Sequence, residues 1–273
     1  MAFATSSARS KERRIEVRGR NKMLPRLGIS SDQETLIQAA AEKVARLCTE
    51  AFEENGMFTV ALSGGSTPRP LYTLLATGKF ARSIDWARVH LFWGDERCVP
   101  PDDPRSNYRM VRESLLDGVS IPHGNVHRIH GEEDPNVAAA GYEKELRTFF
   151  GSTGVNGLPR VGFDLVLLGM GEDGHTASLF PGLPAVTEQV RWVMAQFVEA
   201  VSMWRITLTP AVINTAKHVI FLVSGAEKAH RLRDVLEGPV QPEVLPAQMI
   251  RPVHGQLLWL LDDAAAGCLK RGR

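Results

Sequence analysis

The stretch GFDLVLLGMGEDGHTASLFPG, residues 162–182, joins a continuous apolar run to a glycine-rich loop. The run LVLL holds no polar residue, which is typical of a parallel strand buried on both faces. Gly169, Gly171 and Gly174 then spell G-x-G-x-x-G, the written pattern of a dinucleotide-binding turn. The stretch therefore predicts an α/β fold, and it raises the question of whether this loop holds a cofactor.

The residues after these glycines do not continue the dinucleotide pattern. In that pattern the third glycine opens a regular helix, and an acidic residue follows about 20 residues later. Here Pro181 comes directly after HTASLF, and QVRWVMAQF holds no acidic residue before Glu199. The loop also lies late in the chain, whereas the fingerprint normally occupies the first strand–helix turn. We therefore do not expect NAD or FAD to bind here.

The same loop places Asp173 and His175 two residues apart, directly after a predicted buried strand. A histidine titrates near neutral pH and suits general-base catalysis, and a neighbouring carboxylate orients the ring and stabilises its charged form. Single histidines are more often structural than catalytic. This one lies in a glycine-rich loop rather than on an apolar face, which favours a catalytic role.

Outward from this stretch, predicted strands and helices alternate through most of the chain. Apolar runs such as MFTVAL, RVHLFW and HVIFLV are each followed by a polar loop and then by a helix. This alternation predicts an open, mainly parallel, Rossmann-like sheet with helices on both faces. Ligands of such sheets bind outside the carboxyl ends of the strands. We expect four loops to meet at that edge: SGGSTP, GDER, GMGEDGHT and SGAEKA.

The loop LSGGSTP, residues 62–68, predicts an anion site. Gly64 and Gly65 allow backbone amides to approach a ligand, Ser66 and Thr67 add hydroxyl donors, and the following helix directs its N-terminus at the loop. The pattern is neither a Walker loop, because G-x-x-x-x-G-K is absent, nor a nucleophile elbow. A tight turn with a helix cap is the alternative.

Two other loops carry charge at predicted strand ends. GDER places Asp95, Glu96 and Arg97 there, and an arginine can hold phosphate or carboxylate through two hydrogen bonds. A structural ion-pair network is the alternative for this cluster. Lys228 is predicted in the first turn of a helix, where the dipole disfavours a cation, so it indicates either an anionic ligand or a lysine reaching solvent.

Composition and the spacing of metal-binding residue types limit the partners. A net charge of +1 gives no overall field for nucleic acid or anionic lipid, and no apolar run is long enough to span a bilayer. Three dispersed cysteines argue against disulfides and a cysteine-built zinc site and favour a cytoplasmic location. The histidines of HGNVHRIH, residues 123–130, lack the spacing of zinc ligands.

The chain is expected to divide into two parts. Residues 1–30 are basic, without a secretory signal, and we expect a partly mobile extension that runs into a strand near residues 15–17. Residues 31–273 are predicted to form a single α/β domain.

Five stretches, in order from about Asp32 to the C-terminus, resemble the 6-phosphogluconolactonase family: LSGGSTPRPLY, FWGDERCVPPDDPRSNYRMV, GFDLVLLGMGEDGHTASLFPG, RITLTPAVINTAKHVIFLVSGAEKA and WLLDDAAA. The resemblance implies hydrolysis of 6-phospho-D-glucono-1,5-lactone to 6-phosphogluconate, the second step of the oxidative pentose phosphate pathway. It also implies a fold shared with glucosamine-6-phosphate deaminases and ribose-5-phosphate isomerases, and no metal or organic cofactor.

Residue by residue, the resemblance implies that His175 is the catalytic histidine and Asp173 the carboxylate beside it. The SGGST loop surrounds the substrate, basic residues hold its phosphate, and the arginine of RITLT has a less defined role. The implied substrate- and phosphate-binding set is Gly64, Gly65, Ser66, Thr67, Asp95, Arg97, Arg205 and Lys228.

Two features depart from the family pattern, and two other functions stay open. The segment before Ser31 is longer and more basic than usual, and LPAQMIRP stands where relatives often have P-A-S. A sugar-phosphate deaminase or isomerase on the same scaffold is the nearest alternative, although its family has G-x-x-N-G-H and D-E-Y where this chain has G-E-D-G-H and D-E-R. A non-catalytic sugar-phosphate-binding protein is the other. The chain is expected to be a monomer or a small homo-oligomer.

Overall fold

A computed structural model describes residues 11–14, 26–160 and 162–270 of the chain, and within them strands and helices alternate as predicted. The strand expected near residues 15–17 lies outside the described residues. The strands are β1 (Lys11–Arg14), β2 (Arg26–Ser30), β3 (Phe58–Leu62), β4 (Val89–Trp93), β5 (Asp95–Arg97), β6 (Val126–His127), β7 (Leu165–Leu168), β8 (Val193–Val198), β9 (Met203–Leu208), β10 (His218–Val223) and β11 (Gln256–Asp262). The α-helices are α1 (Gln33–Asn55), α2 (Pro68–Leu75), α3 (Gly78–Ser83), α4 (Asn107–Ser114), α5 (Pro135–Phe150), α6 (Pro210–Ile213) and α7 (Ala229–Glu237).

The larger sheet has eight strands in the order β1–β2–β11–β10–β7–β3–β4–β6. Neighbours from β2 through β6 are parallel, and only the edge strand β1 runs antiparallel to its neighbour. The predicted open, mainly parallel α/β sheet is therefore confirmed. Because β2 pairs with β11 along Arg26–Ser30, the sheet already begins before residue 31, where the single domain was expected to start.

The central strands are buried because helices cover the sheet. Every residue of β3 and of β7 is buried. Phe221 of β10 stacks on Trp259 of β11 with ring centroids 3.8 Å apart. Burying one such large apolar side chain contributes about 1.5–3 kcal/mol, which is why apolar runs select the inner strands.

The first long helix begins and ends where its sequence indicates. The side chain of Asp32 accepts a hydrogen bond from the backbone N–H of Thr35, and Gly56 closes α1 in the left-handed conformation with φ 80°. Asp134 caps α5 in the same way, with Pro135 at the first helical position. These local signals are read correctly from sequence because each involves residues only a few positions apart.

A second, three-stranded antiparallel sheet, β5–β9–β8, was not predicted as a separate sheet. GDER was predicted as a loop, but its residues form β5 and pair with β9, Asp95 opposite Thr207 and Arg97 opposite Arg205. Such partners lie about a hundred positions apart in the chain, so no local pattern reveals them. Because cross-strand partners share a face, these four side chains lie on one face of the small sheet.

Candidate active site

Four polar loops follow four strands that are neighbours in the larger sheet. β10, β7, β3 and β4 lie side by side and parallel, so their carboxyl ends open on one edge. Neighbouring strands are about 4.8 Å apart, which brings consecutive loops within reach of one small molecule. The predicted convergence is confirmed. We call this edge the carboxyl edge; it comprises the loops 63–67, 169–179 and 224–228 and the segment 94–97, which includes β5.

His175 and Asp173 form a hydrogen-bonded pair in the loop after β7. The ring Nδ1 lies 2.6 Å from Asp173 Oδ1, which also accepts the backbone N–H of His175 at 3.0 Å. Partial burial acts to raise the pKa of Asp173, but these hydrogen bonds outweigh it and lower that pKa below its usual value. An ionised Asp173 accepts a hydrogen bond from Nδ1–H, so neutral His175 carries its lone pair on Nε2, which has no hydrogen-bond partner among the described residues.

Two contacts hold the plane of the His175 ring. The ring stacks on Phe180 with centroids 4.2 Å apart and planes inclined by 22°. On Gly171, a Cβ atom would lie 2.2 Å from the ring atoms Cε1 and Nδ1, so only glycine lets the ring reach Asp173. Gly174 is required for another reason, a φ of +88°, whereas Gly169 has open space around it. Gly171 therefore makes room for the His175 ring, and Gly174 allows the turn directly before it.

The loop after β3 is built around two glycines and a tyrosine. A Cβ on Gly64 would lie 1.8 Å from Asn107 Oδ1, so this residue must be glycine for the loop to pack on α4. Gly65 has φ +103°, a left-handed conformation that favours glycine. The hydroxyl of Tyr72 accepts the N–H of Ser63 at 3.1 Å and donates to its carbonyl oxygen at 2.8 Å, which ties the loop to α2.

The remaining residues of this loop lie at the start of α2. Ser66 is exposed, and Thr67, which is buried, occupies the N-cap position, but its side chain makes no capping hydrogen bond. Pro68 follows at the first helical position. The hydroxyl of Thr67 is therefore not needed by the helix, and the loop presents backbone and hydroxyl donors at a helix N-terminus, as predicted for an anion site.

Arg97 and Arg205 lie opposite each other on β5 and β9. The Nε atom of each is buried without a hydrogen-bond partner, and neither guanidinium has a carboxylate at ion-pair distance in the part of the chain the structure describes. Burial, followed by the charge of Arg97, lowers the pKa of Arg205, against the raising effects of Asp95 and Glu96. Two adjacent half-buried cations with unused donors have the donor geometry and the charge to hold an anion.

Asp95 and Glu96 are both buried, and each is engaged by the protein itself. Asp95 accepts the hydroxyl of Ser178 at 2.7 Å. Glu96 accepts the backbone N–H groups of Asn107 and Tyr108, both at 2.7 Å, and so caps α4. Burial raises the pKa of Glu96, opposed by these backbone hydrogen bonds. The structure thus gives Asp95, which the resemblance placed in the substrate-binding set, a structural partner.

Lys228 lies at the N-cap position of α7, at the end of the 3-10 turn Ala226–Lys228. Asp262, at the end of β11, holds the start of this loop by accepting the hydroxyl of Ser224 and the N–H of Gly225. Lys228 itself makes no side-chain hydrogen bond or ion pair with any residue the structure describes. It is therefore free to meet an anionic ligand at the carboxyl edge.

The site depends on several residues that the sequence patterns did not single out as functional. Asn107, Ser178 and Phe180 contact predicted residues, and Asp262 holds the start of the loop that leads to Lys228. They make these contacts through tertiary packing, for which the sequence carries no spacing signal. The sequence offered one indication, for Asp262 alone: it lies at the end of a predicted strand, where the four polar segments of the carboxyl edge also begin.

Two of the histidines in the stretch HGNVHRIH are engaged by other side chains. His127 contacts His90 and Glu145, and His130 lies 3.5 Å from Glu132. Across residues 26–160 and 162–270, no group of three or more His, Cys, Asp or Glu side chains is placed to hold a metal ion. No helix among the described residues is both long and apolar enough to cross a membrane.

Comparison with known sequences gives one consistent family. A family model described as glucosamine-6-phosphate isomerases/6-phosphogluconolactonase matches residues 31–259. The chain is 42% identical over 249 residues to the 6-phosphogluconolactonase of a Synechocystis strain, covering 91% of this chain and 100% of that protein. It is 44% identical over 235 residues to the 6-phosphogluconolactonase of a Nostoc strain, covering 86% and 94%.

Comparison with solved structures agrees. The 6-phosphogluconolactonase from Trypanosoma cruzi superposes with a TM-score of 0.82 at 33% identity, covering 92% of this chain and 99% of that one. A monomeric glucosamine-6-phosphate deaminase superposes with a TM-score of 0.75 at 20% identity, covering 89% and 99%. The second likeness concerns the fold alone.

Proposed function

This chain belongs to the glucosamine-6-phosphate isomerase/6-phosphogluconolactonase family, and we propose that it hydrolyses 6-phospho-D-glucono-1,5-lactone to 6-phospho-D-gluconate, as the lactonase of the pentose phosphate pathway. The observation that carries this proposal is His175, whose Nε2 is free while Nδ1 is held by Asp173, at an edge with unpaired cations. Relatives named 6-phosphogluconolactonase, identical at 42–44% over most of the chain, support the choice of substrate.

The reaction needs a base and no covalent nucleophile, because a δ-lactone is already an activated ester. We infer that His175 Nε2 removes a proton from water while the water oxygen bonds to the lactone carbonyl carbon. Asp173 stabilises the imidazolium that forms. As the tetrahedral intermediate collapses, the bond to the ring oxygen breaks and His175 returns the proton to that oxygen, which leaves the acid and a free hydroxyl. General-base catalysis of this kind accelerates a reaction about 10²- to 10⁴-fold.

The phosphate supplies binding energy far from the reacting carbon. In this proposal it is held by the loop of Gly64, Gly65, Ser66 and Thr67, and its charge is met by Arg97, Arg205 and Lys228. The unpartnered Nε atoms of the two arginines support this assignment. Anchoring the phosphate orients the carbonyl toward His175, which converts binding energy into rate.

The proposal extends to the organisation of the protein. A single α/β domain that includes residues 31–273 would carry all of these residues, with a small phosphosugar lactone as its ligand and a cytoplasmic location. The net charge of +1 and the three free cysteines support this location and the lack of a nucleic-acid partner.

One assay tests the proposal. The lactone is generated in situ from glucose 6-phosphate, and the release of acid is followed with and without the protein. We expect release well above the rate in buffer, and its loss in His175→Ala. If the lactone is hydrolysed no faster with the protein than in buffer alone, the non-catalytic sugar-phosphate-binding function is favoured instead. Ammonia released from glucosamine 6-phosphate would instead identify a deaminase.

A further inference from the structure

The turn that follows His175 holds an alanine in a conformation that alanine rarely adopts. Ala177 has φ +48°, in the left-handed region, which costs a non-glycine residue about 1–2 kcal/mol. Such a conformation persists only where the surroundings hold it in place. The turn is closed by the bridge between Thr176 and Leu179, so a contact that holds either residue between them, Ala177 or Ser178, also fixes the end of the His175 loop.

Ser178, which follows Ala177, supplies such contacts, because each of its polar groups is hydrogen-bonded to the small sheet. Its hydroxyl donates to Asp95 Oδ2 at 2.7 Å, and its backbone N–H donates to Thr207 Oγ1 at 3.2 Å. Its carbonyl oxygen accepts Nε2 of Gln196 at 2.7 Å. These bonds reach all three strands of the small sheet, β5, β9 and β8.

All four residues of this network are buried. Their exposed fractions are 1% for Ser178, 0% for Thr207, 6% for Gln196 and 7% for Asp95. Buried hydrogen bonds between groups shielded from water are costly to break, because each partner is left unsatisfied. The network is therefore a rigid connection rather than a solvent-exposed contact.

The network also lies next to the arginine pair. Gln196 is the cross-strand partner of Arg205, and Asp95 lies two residues before Arg97 on the same face. The same strands thus carry the cations proposed to hold the phosphate and the bonds that hold the turn after His175.

We propose that Ser178, through its bonds to Asp95 and Gln196, is a positioning residue that sets the distance between His175 and the phosphate-binding arginines. This inference rests on the proposed function for its kinetic consequence. It gives Asp95 the role of a buried acceptor for Ser178 rather than that of a substrate ligand. A carboxylate in that role also avoids placing negative charge against a phosphate.

The test compares Ser178→Ala with Thr59→Val. Thr59 donates its hydroxyl to Asp164 at 2.8 Å, so it provides the same kind of buried hydroxyl–carboxylate bond, at the start of β3 and away from the carboxyl edge. Both variants are assayed for lactone hydrolysis below their unfolding midpoints. We expect kcat to fall about 10- to 100-fold in Ser178→Ala with KM changed less than about threefold, and kcat of Thr59→Val to stay near that of the unaltered protein.

A second measurement tests directly whether the hydrogen bonds of Ser178 hold the His175 loop in place. Hydrogen–deuterium exchange of the peptide covering residues 169–180 should become faster in Ser178→Ala and stay unchanged in Thr59→Val. The exchange measurement does not depend on lactone hydrolysis. If the unaltered protein does not hydrolyse the lactone, that result contradicts the proposed function but leaves the positioning role of Ser178 to be decided by the exchange rates. Should Ser178→Ala fail to fold, Gln196→Met breaks the same network from β8 and should give a smaller effect of the same kind.

Three results would overturn the positioning role. One is unchanged exchange over residues 169–180 in Ser178→Ala. Another is an equal loss of kcat in Ser178→Ala and Thr59→Val, which would indicate general destabilisation. The third is a rise in KM with kcat retained, which would mean that the network serves binding rather than the position of His175.

Discussion

Two histidine–carboxylate pairs of the molecule contain the same polar groups but use them differently. At the carboxyl edge, His175 Nδ1 lies 2.6 Å from Asp173; on the edge strand β6, His127 Nδ1 lies 2.6 Å from Glu145 of α5. The second nitrogen of His127 is occupied by His90 at 3.1 Å, and its ring stacks on Phe92 at 4.2 Å. The second nitrogen of His175 has no partner among the described residues, so of His127 and His175 it is His175 that is available to move a proton.

The lysines that flank β10 repeat the contrast. Lys217, just before the strand, lies 2.7 Å from Glu54 and 3.1 Å from Asp164, whereas Lys228, beyond the other end, has no such partner among the described residues. A buried or half-buried cation without a partner reduces stability unless a ligand meets it. A histidine–carboxylate pair or a lysine therefore does not by itself mark a candidate site. What distinguishes the carboxyl edge is that some of its polar groups are left without a protein partner.

The largest expected effect tests the difference between His175 and His127. His175→Ala should lower kcat by about 10²- to 10⁴-fold, because the general base is lost, with KM little changed. His127→Ala removes an equivalent hydrogen bond but no reacting group, so its kcat should stay within about twofold. Steady-state hydrolysis of the lactone, below the unfolding midpoint of each variant, measures both. Equal losses in the two variants would contradict the assignment of His175.

The next effect concerns the glycines beside His175. Gly171→Ala places a Cβ atom where the ring now lies, so the ring must move away from Asp173, and we expect a loss of kcat of roughly 10²-fold. Gly169→Ala is the matched control, because that position has open space and no left-handed φ. Activity retained by Gly171→Ala would mean that the ring need not occupy its present position.

A smaller effect distinguishes the two lysines. Lys228→Ala should raise KM about tenfold with little change in kcat, because a charge-assisted contact to the substrate is lost. Lys217→Ala should leave KM unchanged and lower the free energy of unfolding by about 1 kcal/mol, since it loses its carboxylates. Kinetics and urea unfolding of both variants measure this contrast. A defect in kcat alone for Lys228→Ala would instead argue for a role in the chemical step.

The smallest effect is a pH dependence at the pair of His90 and His127. Burial, followed by the neighbouring His127, lowers the pKa of His90 below its usual value. In the unfolded chain His90 binds a proton near pH 6.5, so the stability contributed by its neutral folded form is full above about pH 6.5 and is lost as the pH falls through the lower folded pKa. His90→Asn should therefore make the loss of stability on acidification shallower, measured by urea unfolding across that range. The pH profile of kcat in His90→Asn should stay that of the unaltered protein; a shifted profile would couple this pair of histidines to catalysis.

Much of the fold was readable from sequence because its signals are local. Continuous apolar runs predicted β3, β4, β7 and β10, and the caps at Asp32 and Asp134 marked where helices begin. The position of loops after strands predicted the functional edge, and the motif around His175 predicted the pairing with Asp173. What sequence reasoning missed was the small sheet, because β5 pairs with residues about a hundred positions away.

The sequence alone determined the class of fold, the candidate base and its carboxylate, and a family resemblance that points to lactone hydrolysis. Only the tertiary structure decided which polar groups are satisfied and which are left free, because hydrogen-bond partners are chosen by packing between distant segments. It placed Asp95 against Ser178, left the Nε atoms of Arg97 and Arg205 without partners, and made Gly171 a requirement of the His175 ring. A residue type states what chemistry a side chain can perform, and the contacts around it decide whether it is free to perform that chemistry.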